Sequence, residues 1–278
     1  MALWYNFWDA LPFEMLHWDF MCNALLALLL MAPLFGLMST MIVTGRMSFF
    51  SDALGHSAFT GIAIGAICGL APTGVAVAFS VVFALLFSYV RSRSNQTADT
   101  IIGVFSSTAV ALGIFIATLG GGSFTKYNSY LIGDILSVTP SEIGLLALTL
   151  IGVLIFWIVA GNKLVLTSVH PHLASSRGIH VEGTQTLFTV AIAIVVTLSI
   201  SWVGLLMLNS LLVLPAASAR NVAKNLRQYH LFSVLFALAA GIGGLVISYF
   251  FGSSSGAAIS LCLALIFAVT FALRKKTA

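Results

Sequence analysis

Two ionisable residues, Asp52 and His56, lie four positions apart in a stretch that is otherwise apolar enough to enter a lipid bilayer. Four residues make about one helical turn, so the two side chains share a helix face and can reach one ligand. A carboxylate and an imidazole together suit a divalent first-row metal such as zinc or manganese. An ionisable residue within a membrane span is costly and is therefore a functional candidate. The alternative is a buried Asp–His pair that only holds helices together.

The composition excludes a soluble domain. Of 278 residues, 60% are hydrophobic and 7% are charged, whereas a soluble domain carries roughly 25% charged residues. We therefore expect an all-α, polytopic integral membrane protein. The net charge of +4 comes from clusters at the ends of apolar runs rather than from a basic face, which argues against nucleic-acid binding. Cys22, Cys68 and Cys262 are isolated, so neither a disulfide framework nor a CxxC metal site is indicated.

The apolar runs predict eight to nine transmembrane helices. The count is least certain between 186 and 219, where nearly all residues are apolar and one run could be a half-helix. The runs fall at about 20–44, 51–70, 72–90, 100–119, 141–160, 186–202, 203–219, 231–251 and 255–273.

Positive charges predict the orientation, because they mark the cytoplasmic side of a membrane protein. They follow the first, third, fifth and seventh runs and end the chain: Arg46, Arg91, Arg93, Lys163, Arg177, Arg220, Lys224, Arg227, Arg274, Lys275 and Lys276. Simple alternation then puts the N-terminus outside and the C-terminus in the cytoplasm. Residues 1–19 are rich in Trp and Phe without Lys or Arg, which favours an interfacial aromatic segment over a cleavable signal peptide.

The orientation also predicts a depth for the pair. His56 follows Arg46 by ten residues, or about 15 Å of helix, which is half of a ~30 Å hydrocarbon core. The same helix carries Ser57, Gly61, Gly65 and Gly69 at spacings of four. Such a stripe of small residues predicts close packing against another helix.

Two further segments contain polar or helix-breaking residues. Thr139 and Glu142 have the spacing of a capping box, and Asp134 just before them is either a helix cap or part of a metal-access path. Pro215 lies inside the seventh run, where it is expected to kink or end the helix near Leu211.

The largest cytoplasmic segment is 161–185, and it contains His170, His172 and His180. Their spacings are not helical and no Cys or carboxylate cluster joins them, which disfavours a metal site. A short helix from Pro171 to Gly178 that docks a cytoplasmic partner is favoured instead. The chain contains no GxxxxGK[ST] phosphate loop, HExxH or GxSxG motif. It is therefore expected to be no enzyme, and any ATP hydrolysis would belong to another subunit.

Four ordered motifs resemble the permease subunits of bacterial zinc and manganese ABC importers, with the zinc-uptake permeases nearest. The motifs are Arg46-Met-Ser-Phe-Phe-Ser-Asp-Ala-Leu-Gly-His-Ser57, Ala98-Asp-Thr-Ile-Ile-Gly103, Gly133-Asp-Ile-Leu-Ser-Val-Thr-Pro140 and Ser210-Leu-Leu-Val-Leu-Pro-Ala-Ala-Ser-Ala-Arg220.

The resemblance implies a single permease domain over 1–278 in the bacterial inner membrane, with no tightly bound cofactor. It also implies a homodimer, a cytoplasmic ATP-binding subunit and an extracytoplasmic solute-binding protein. Asp52 and His56 would contact the transported metal. The loop that contacts the ATP-binding subunit maps onto Pro171, His172, Leu173, Ala174 and Gly178.

Two positions depart from the family pattern. His172 stands where an acidic residue usually follows the proline, and Ser107 stands where the zinc-type permease has a histidine. Zinc is favoured as the transported metal, with manganese next. Two other functions stay open at this point: a proton-coupled secondary transporter that uses the pair as a relay, and an integral-membrane metalloenzyme.

Overall fold

The computed structural model describes residues 14–119 and 133–274. In these two ranges the secondary structure consists of ten α-helices and two short 3₁₀ helices, Glu14–His17 and Ile135–Ser137. The all-α prediction is confirmed. The α-helices are α1 (Asp19–Thr44), α2 (Phe50–Ile67), α3 (Pro72–Arg93), α4 (Ala98–Thr118), α5 (Pro140–Val169), α6 (Pro171–Ser176), α7 (Val181–Val203), α8 (Leu205–Val222), α9 (Leu226–Phe251) and α10 (Ser255–Ala272).

Eight of these helices are long and apolar enough to cross a membrane, namely all except α2 and α6. Helix α2 has 18 residues, as many as the shortest of the eight, but Asp52 and His56 make it more polar. The prediction of eight to nine spans is confirmed, and the chain is a multi-pass membrane protein. Most of the predicted aromatic segment 1–19 lies outside the described residues.

Helices α5 and α7 are longer than the spans predicted within them. Helix α5 continues past 160 to Val169, and α7 begins before 186, at Val181. Hydropathy locates only the apolar part of a helix, whereas these helices continue beyond it through polar residues such as Lys163 and Glu182. The predicted segment 161–185 is therefore mostly helical, and the connection between the two spans is residues 170–180.

The chain divides into two compact units. The first comprises the described residues of 1–40, 134–154 and 202–278, and the second those of 41–133 and 155–201. The single permease domain over 1–278 stays a prediction.

In the first unit, α1 packs closely against α9. A Cβ added to Gly36 would lie 2.8 Å from the Cα of Val234, so the two backbones are almost in contact. Beside this approach, the Ser233 hydroxyl donates to the Gly36 carbonyl at 2.7 Å, and Tyr229 donates to the Thr40 carbonyl at 3.4 Å. The polar side chains of α9 thus find buried acceptors on α1, as burial requires.

Pro215 does not end its helix near Leu211, as the sequence suggested it could. Helix α8 runs through it from Leu205 to Val222. Just after the proline, the buried N–H of Ala216 donates to the Ser39 hydroxyl of α1 at 3.2 Å. A side chain of a neighbouring helix thus accepts a backbone N–H at the point where proline disturbs the helical ladder. The interruption lies instead at Gly204, whose φ of 76° separates α7 from α8.

Candidate functional site

Helix α2, which carries Asp52 and His56, is held on two sides by polar contacts in the second unit. The Ser57 and Ser80 hydroxyls lie 3.0 Å apart and join α2 to α3. On the other side, the Thr60 hydroxyl donates to the Ala109 carbonyl of α4 at 2.8 Å. All four residues are buried, so these contacts fix the rotation of α2 about its own axis.

The predicted stripe of small residues forms the contact between α2 and α3. A Cβ on Gly61 would lie 2.5 Å from the Cα of Ala76, and one on Gly65 would lie 2.9 Å from the Cα of Pro72. Any larger side chain would force the two backbones apart. Gly69 does not belong to the stripe: it follows the end of α2 with a φ of 67° and has open space around it. There the left-handed turn, rather than packing, favours glycine.

This packing leaves one face of α2 uncovered, and Asp52 and His56 lie on it. Between Phe50 and Ala63 they are the only two residues that are not buried. Their side chains are 44% and 30% exposed, and His56 Nε2 lies 3.5 Å from Asp52 Oδ2. The structure therefore brings the predicted pair together and turns both groups outward from the chain.

A turn anchored by Arg91 precedes this helix. Arg46 in the turn has a φ of 54°, a left-handed conformation that is strained for a residue with a Cβ. The Arg91 guanidinium, from the end of α3, donates to the Gly45 carbonyl at 3.3 Å and to Met47 Sδ at 2.9 Å. The sequence assigned Arg91 only to the cytoplasmic charge pattern, because spacing along the chain gives no sign of this tertiary contact.

The turn also changes the predicted depth of the pair. Because α2 begins at Phe50 rather than near Arg46, His56 lies about 9 Å along the helix instead of the ~15 Å that an unbroken helix would give. Asp52 lies in the first turn. The pair is thus nearer to the end of α2 that carries the basic turn.

Within residues 14–119 and 133–274, Asp52 and His56 are not part of a larger cluster of metal-ligand side chains. The described residues contain no group of three or more His, Cys, Asp or Glu side chains placed to hold a metal. The three histidines of the 170–180 connection do not form such a group either. His170 precedes α6, His172 lies within it and His180 precedes α7.

Asp134 caps the short 3₁₀ helix Ile135–Ser137. Its Oδ1 accepts the backbone N–H of Leu136 at 3.1 Å and the hydroxyl of Ser255, the first residue of α10, at 2.8 Å. The cap was one of the two roles expected from the sequence; its part in a metal-access path stays a prediction.

The predicted capping box at the start of α5 is confirmed. The Thr139 N–H donates to Glu142 Oε2 at 2.8 Å, and the Glu142 N–H donates back to Thr139 Oγ1 at 3.4 Å.

Helix α6 forms as predicted, and Gly178 terminates it. The Gly178 N–H donates to the Ser175 carbonyl and the Ile179 N–H to the Ala174 carbonyl, at 2.9 and 3.0 Å, with a φ of 74° at Gly178. This is a Schellman ending, which glycine favours. Of the predicted docking residues, Pro171, His172 and Leu173 are exposed, whereas Ala174 is completely buried. Leu173, 45% exposed, is the large apolar side chain that α6 leaves uncovered.

Comparison with known proteins identifies the family. The model of the ABC 3 transport family matches residues 17–274. The chain belongs to this family. The permease resemblance that the four motifs carried is therefore confirmed.

Individual members of the family align with nearly the whole chain. The high-affinity zinc uptake system membrane protein ZnuB of Haemophilus influenzae is 27% identical, over 89% of this chain and 94% of its own. The manganese import system permease protein ScaB of Streptococcus gordonii is 30% identical, over 92% of each chain. Among solved structures, PsaBC from Streptococcus pneumoniae in complex with Fab matches with a TM-score of 0.81 and 27% identity. That match covers 99% of this chain and 97% of the other.

Proposed function

We propose that this chain is the membrane-spanning permease of an ATP-driven importer for a divalent transition metal, with zinc favoured and manganese next. The observation that carries the proposal is the Asp52–His56 pair: two metal-binding side chains, 3.5 Å apart, on the one uncovered face of α2. The names of the relatives, which include both zinc and manganese transport proteins, support the substrate class and leave the choice of metal open.

The separation of the two donor atoms suits one metal ion. Zinc binds His nitrogen and carboxylate oxygen at about 2.0–2.2 Å, so two ligands at a tetrahedral angle lie about 3.4 Å apart. His56 Nε2 and Asp52 Oδ2 are 3.5 Å apart. The pair needs little rearrangement to bind an ion, and a mixed nitrogen and oxygen set accepts manganese as well.

A second copy of the chain would complete the site. The pair faces outward, and in a two-fold symmetric dimer the same patch of each copy meets across the axis. Two copies would then offer two carboxylates and two imidazoles to one ion. A site divided in this way can release its ion when the copies separate, whereas four ligands from one chain would form a closed structural site.

Energy for transport would come from a separate cytoplasmic ATP-binding subunit that docks on α6. The exposed Leu173 and His172 would offer the contact. With α2 counted as a ninth span, alternation puts α6 and the basic clusters in the cytoplasm, with the N-terminus outside. An extracytoplasmic solute-binding protein would deliver the ion on the opposite side of the inner membrane.

Replacement of the pair tests the proposal. His56→Ala and Asp52→Ala should each abolish metal uptake in vesicles that contain the assembled transporter, while the melting temperature in detergent stays equal or rises. Both side chains are partly exposed, so their loss creates no cavity. Ser57→Ala is the matched control: it removes the buried contact with Ser80 and should lower the melting temperature while uptake continues.

The opposite pattern would show that the pair is structural. Normal uptake by His56→Ala, or loss of assembly in both alanine variants, would overturn the assignment of Asp52 and His56 to the transport path.

A further inference from the structure

A groove with one basic and one apolar end lies in the second unit, between the last turns of α5 and the first turns of α7. We call it the basic groove. Its lining includes Val159, Ala160, Lys163, Arg177, His180 and Leu187. The three basic side chains are exposed, so they are free to meet a ligand that enters the groove.

The two ends of the groove match the two zones of a bilayer. Lys163 lies 23 residues after the first residue of α5, or about 35 Å along the helix. A hydrocarbon core is ~30 Å thick, which places Lys163 at headgroup level. Val159, one turn earlier and 70% exposed, then lies at the edge of the hydrocarbon. Leu187, 54% exposed, lies about 10 Å beyond His180 along α7 in the same direction.

The charge of the groove is unbalanced. Its lining contains Lys163, Arg177 and His180 and no Asp or Glu. A polar cavity in the same unit differs, since its lining contains both Glu182 and Arg91. Excess cationic charge at the membrane surface attracts anionic lipid.

A close contact between Gly183 and His180 shapes the basic end of the groove. Gly183 contributes no side chain there, and an added Cβ would lie 3.3 Å from the ring of His180. The absence of a side chain at this position lets the His180 ring lie against the first turn of α7. Its ring N–H can then donate to a ligand together with the Lys163 and Arg177 side chains.

We propose that the basic groove binds an anionic phospholipid of the cytoplasmic leaflet. Lys163, Arg177 and His180 hold the phosphate of the headgroup, and an acyl chain lies along Val159 and Leu187. The leaflet rests on the proposed orientation, but the lipid site does not depend on metal transport. Its test therefore measures lipid rather than uptake.

The experiment compares two lipids with identical acyl chains, phosphatidylglycerol and phosphatidylcholine, added to the purified, delipidated chain in neutral detergent. Bound lipid is counted by native mass spectrometry. We expect the unaltered chain to prefer phosphatidylglycerol. This preference should fall about fivefold in Lys163→Gln and about fivefold in Arg177→Gln, the usual effect of removing one cation at an anionic surface. Lys163→Arg, which keeps the charge, should retain the preference.

Lys224→Gln is the matched control, since Lys224 is an exposed cation outside the groove. Equal binding of the two lipids by the unaltered chain would overturn the proposal. So would displacement of phosphatidylglycerol by millimolar inorganic phosphate, which would identify a free-anion site. If Lys163→Gln and Arg177→Gln lose ATPase stimulation but keep the preference for phosphatidylglycerol, the proposal is also wrong, and the two cations contact a protein instead.

Discussion

At the scale of single residues, the position of Asp52 and His56 depends on what surrounds them more than on their own chemistry. Their spacing of four predicts a shared helix face, and the structure confirms it with a 3.5 Å separation. The sequence does not reveal that this face is the uncovered one, because that depends on Ser80 and Ala109 from two other helices. The contact of Arg91 with the preceding turn is tertiary as well, and no pattern along the chain predicts it.

Ser107 gives a prediction about metal choice. It is exposed on α4, so Ser107→His should fit without a clash and add an imidazole of the kind the zinc-type permease carries. We expect the ratio of zinc to manganese uptake to rise when both ions compete in the same vesicles. Thr108→His, on a neighbouring face of the same helix, is the control. An unchanged ratio in Ser107→His would remove α4 from metal selection.

Ser39 gives a prediction about stability. Ser39→Ala removes the acceptor of the buried Ala216 N–H, and an unsatisfied buried donor costs about 1–3 kcal/mol. The melting temperature in detergent should fall. Ser233→Ala is the control, because its hydroxyl only donates to a carbonyl of α1 and no N–H loses an acceptor. The fall in melting temperature caused by Ser39→Ala should be smaller when Pro215→Ala is also present, because the backbone hydrogen bonds of α8 can then re-form. If the effects of the two substitutions simply add, this explanation is wrong.

At the scale of elements, hydropathy predicts which segments are helices and misplaces where they end. Helices α5 and α7 continue beyond their apolar runs into polar sequence, and the break at Gly204 lies within a run that is nearly all apolar. Local signals do better at helix termini. The Thr139 capping box and the Gly178 ending both form as predicted, because each depends on atoms only a few residues apart.

Helix α6 gives a prediction about coupling. Leu173→Asp places a charge on the exposed apolar position, and it should abolish metal-stimulated ATP hydrolysis by the assembled transporter while the melting temperature stays unchanged. Leu226→Asp, at a residue of similar exposure that begins α9, should leave the coupling intact. Ala174→Asp would be a poor test, because Ala174 is buried and the change should destabilise the fold. Normal stimulation in Leu173→Asp would argue against α6 as the docking element.

At the scale of the whole molecule, composition alone predicts a polytopic helical membrane protein, and four motifs predict its family. The choice between metals lies beyond such reasoning. The proposed site, with two ligands from each of two copies, would depend on the geometry between the copies, and both ions accept the same donor types.

The whole assembly gives a prediction that separates importer from secondary transporter. The purified chain alone, in vesicles with an inward metal gradient and a proton gradient, should accumulate no metal. Addition of its ATP-binding partner and ATP should start accumulation, and the His56→Ala chain in the same mixture should remain inactive. Proton-driven accumulation by the chain alone would instead support a relay role for Asp52 and His56.

The close approach at Gly61 limits how access to the pair can alternate. Where α2 and α3 meet at backbone distance, no layer of side chains lies between them that could change rotamers and let one helix slide past the other. The bond between Thr60 and the Ala109 carbonyl restrains α2 on its second side. Helices α2, α3 and α4 should therefore move as one rigid body during each transport cycle. Spin labels on α2 and α3 would then keep a constant separation throughout turnover, while labels on the two copies of α2 in a dimer would approach and part.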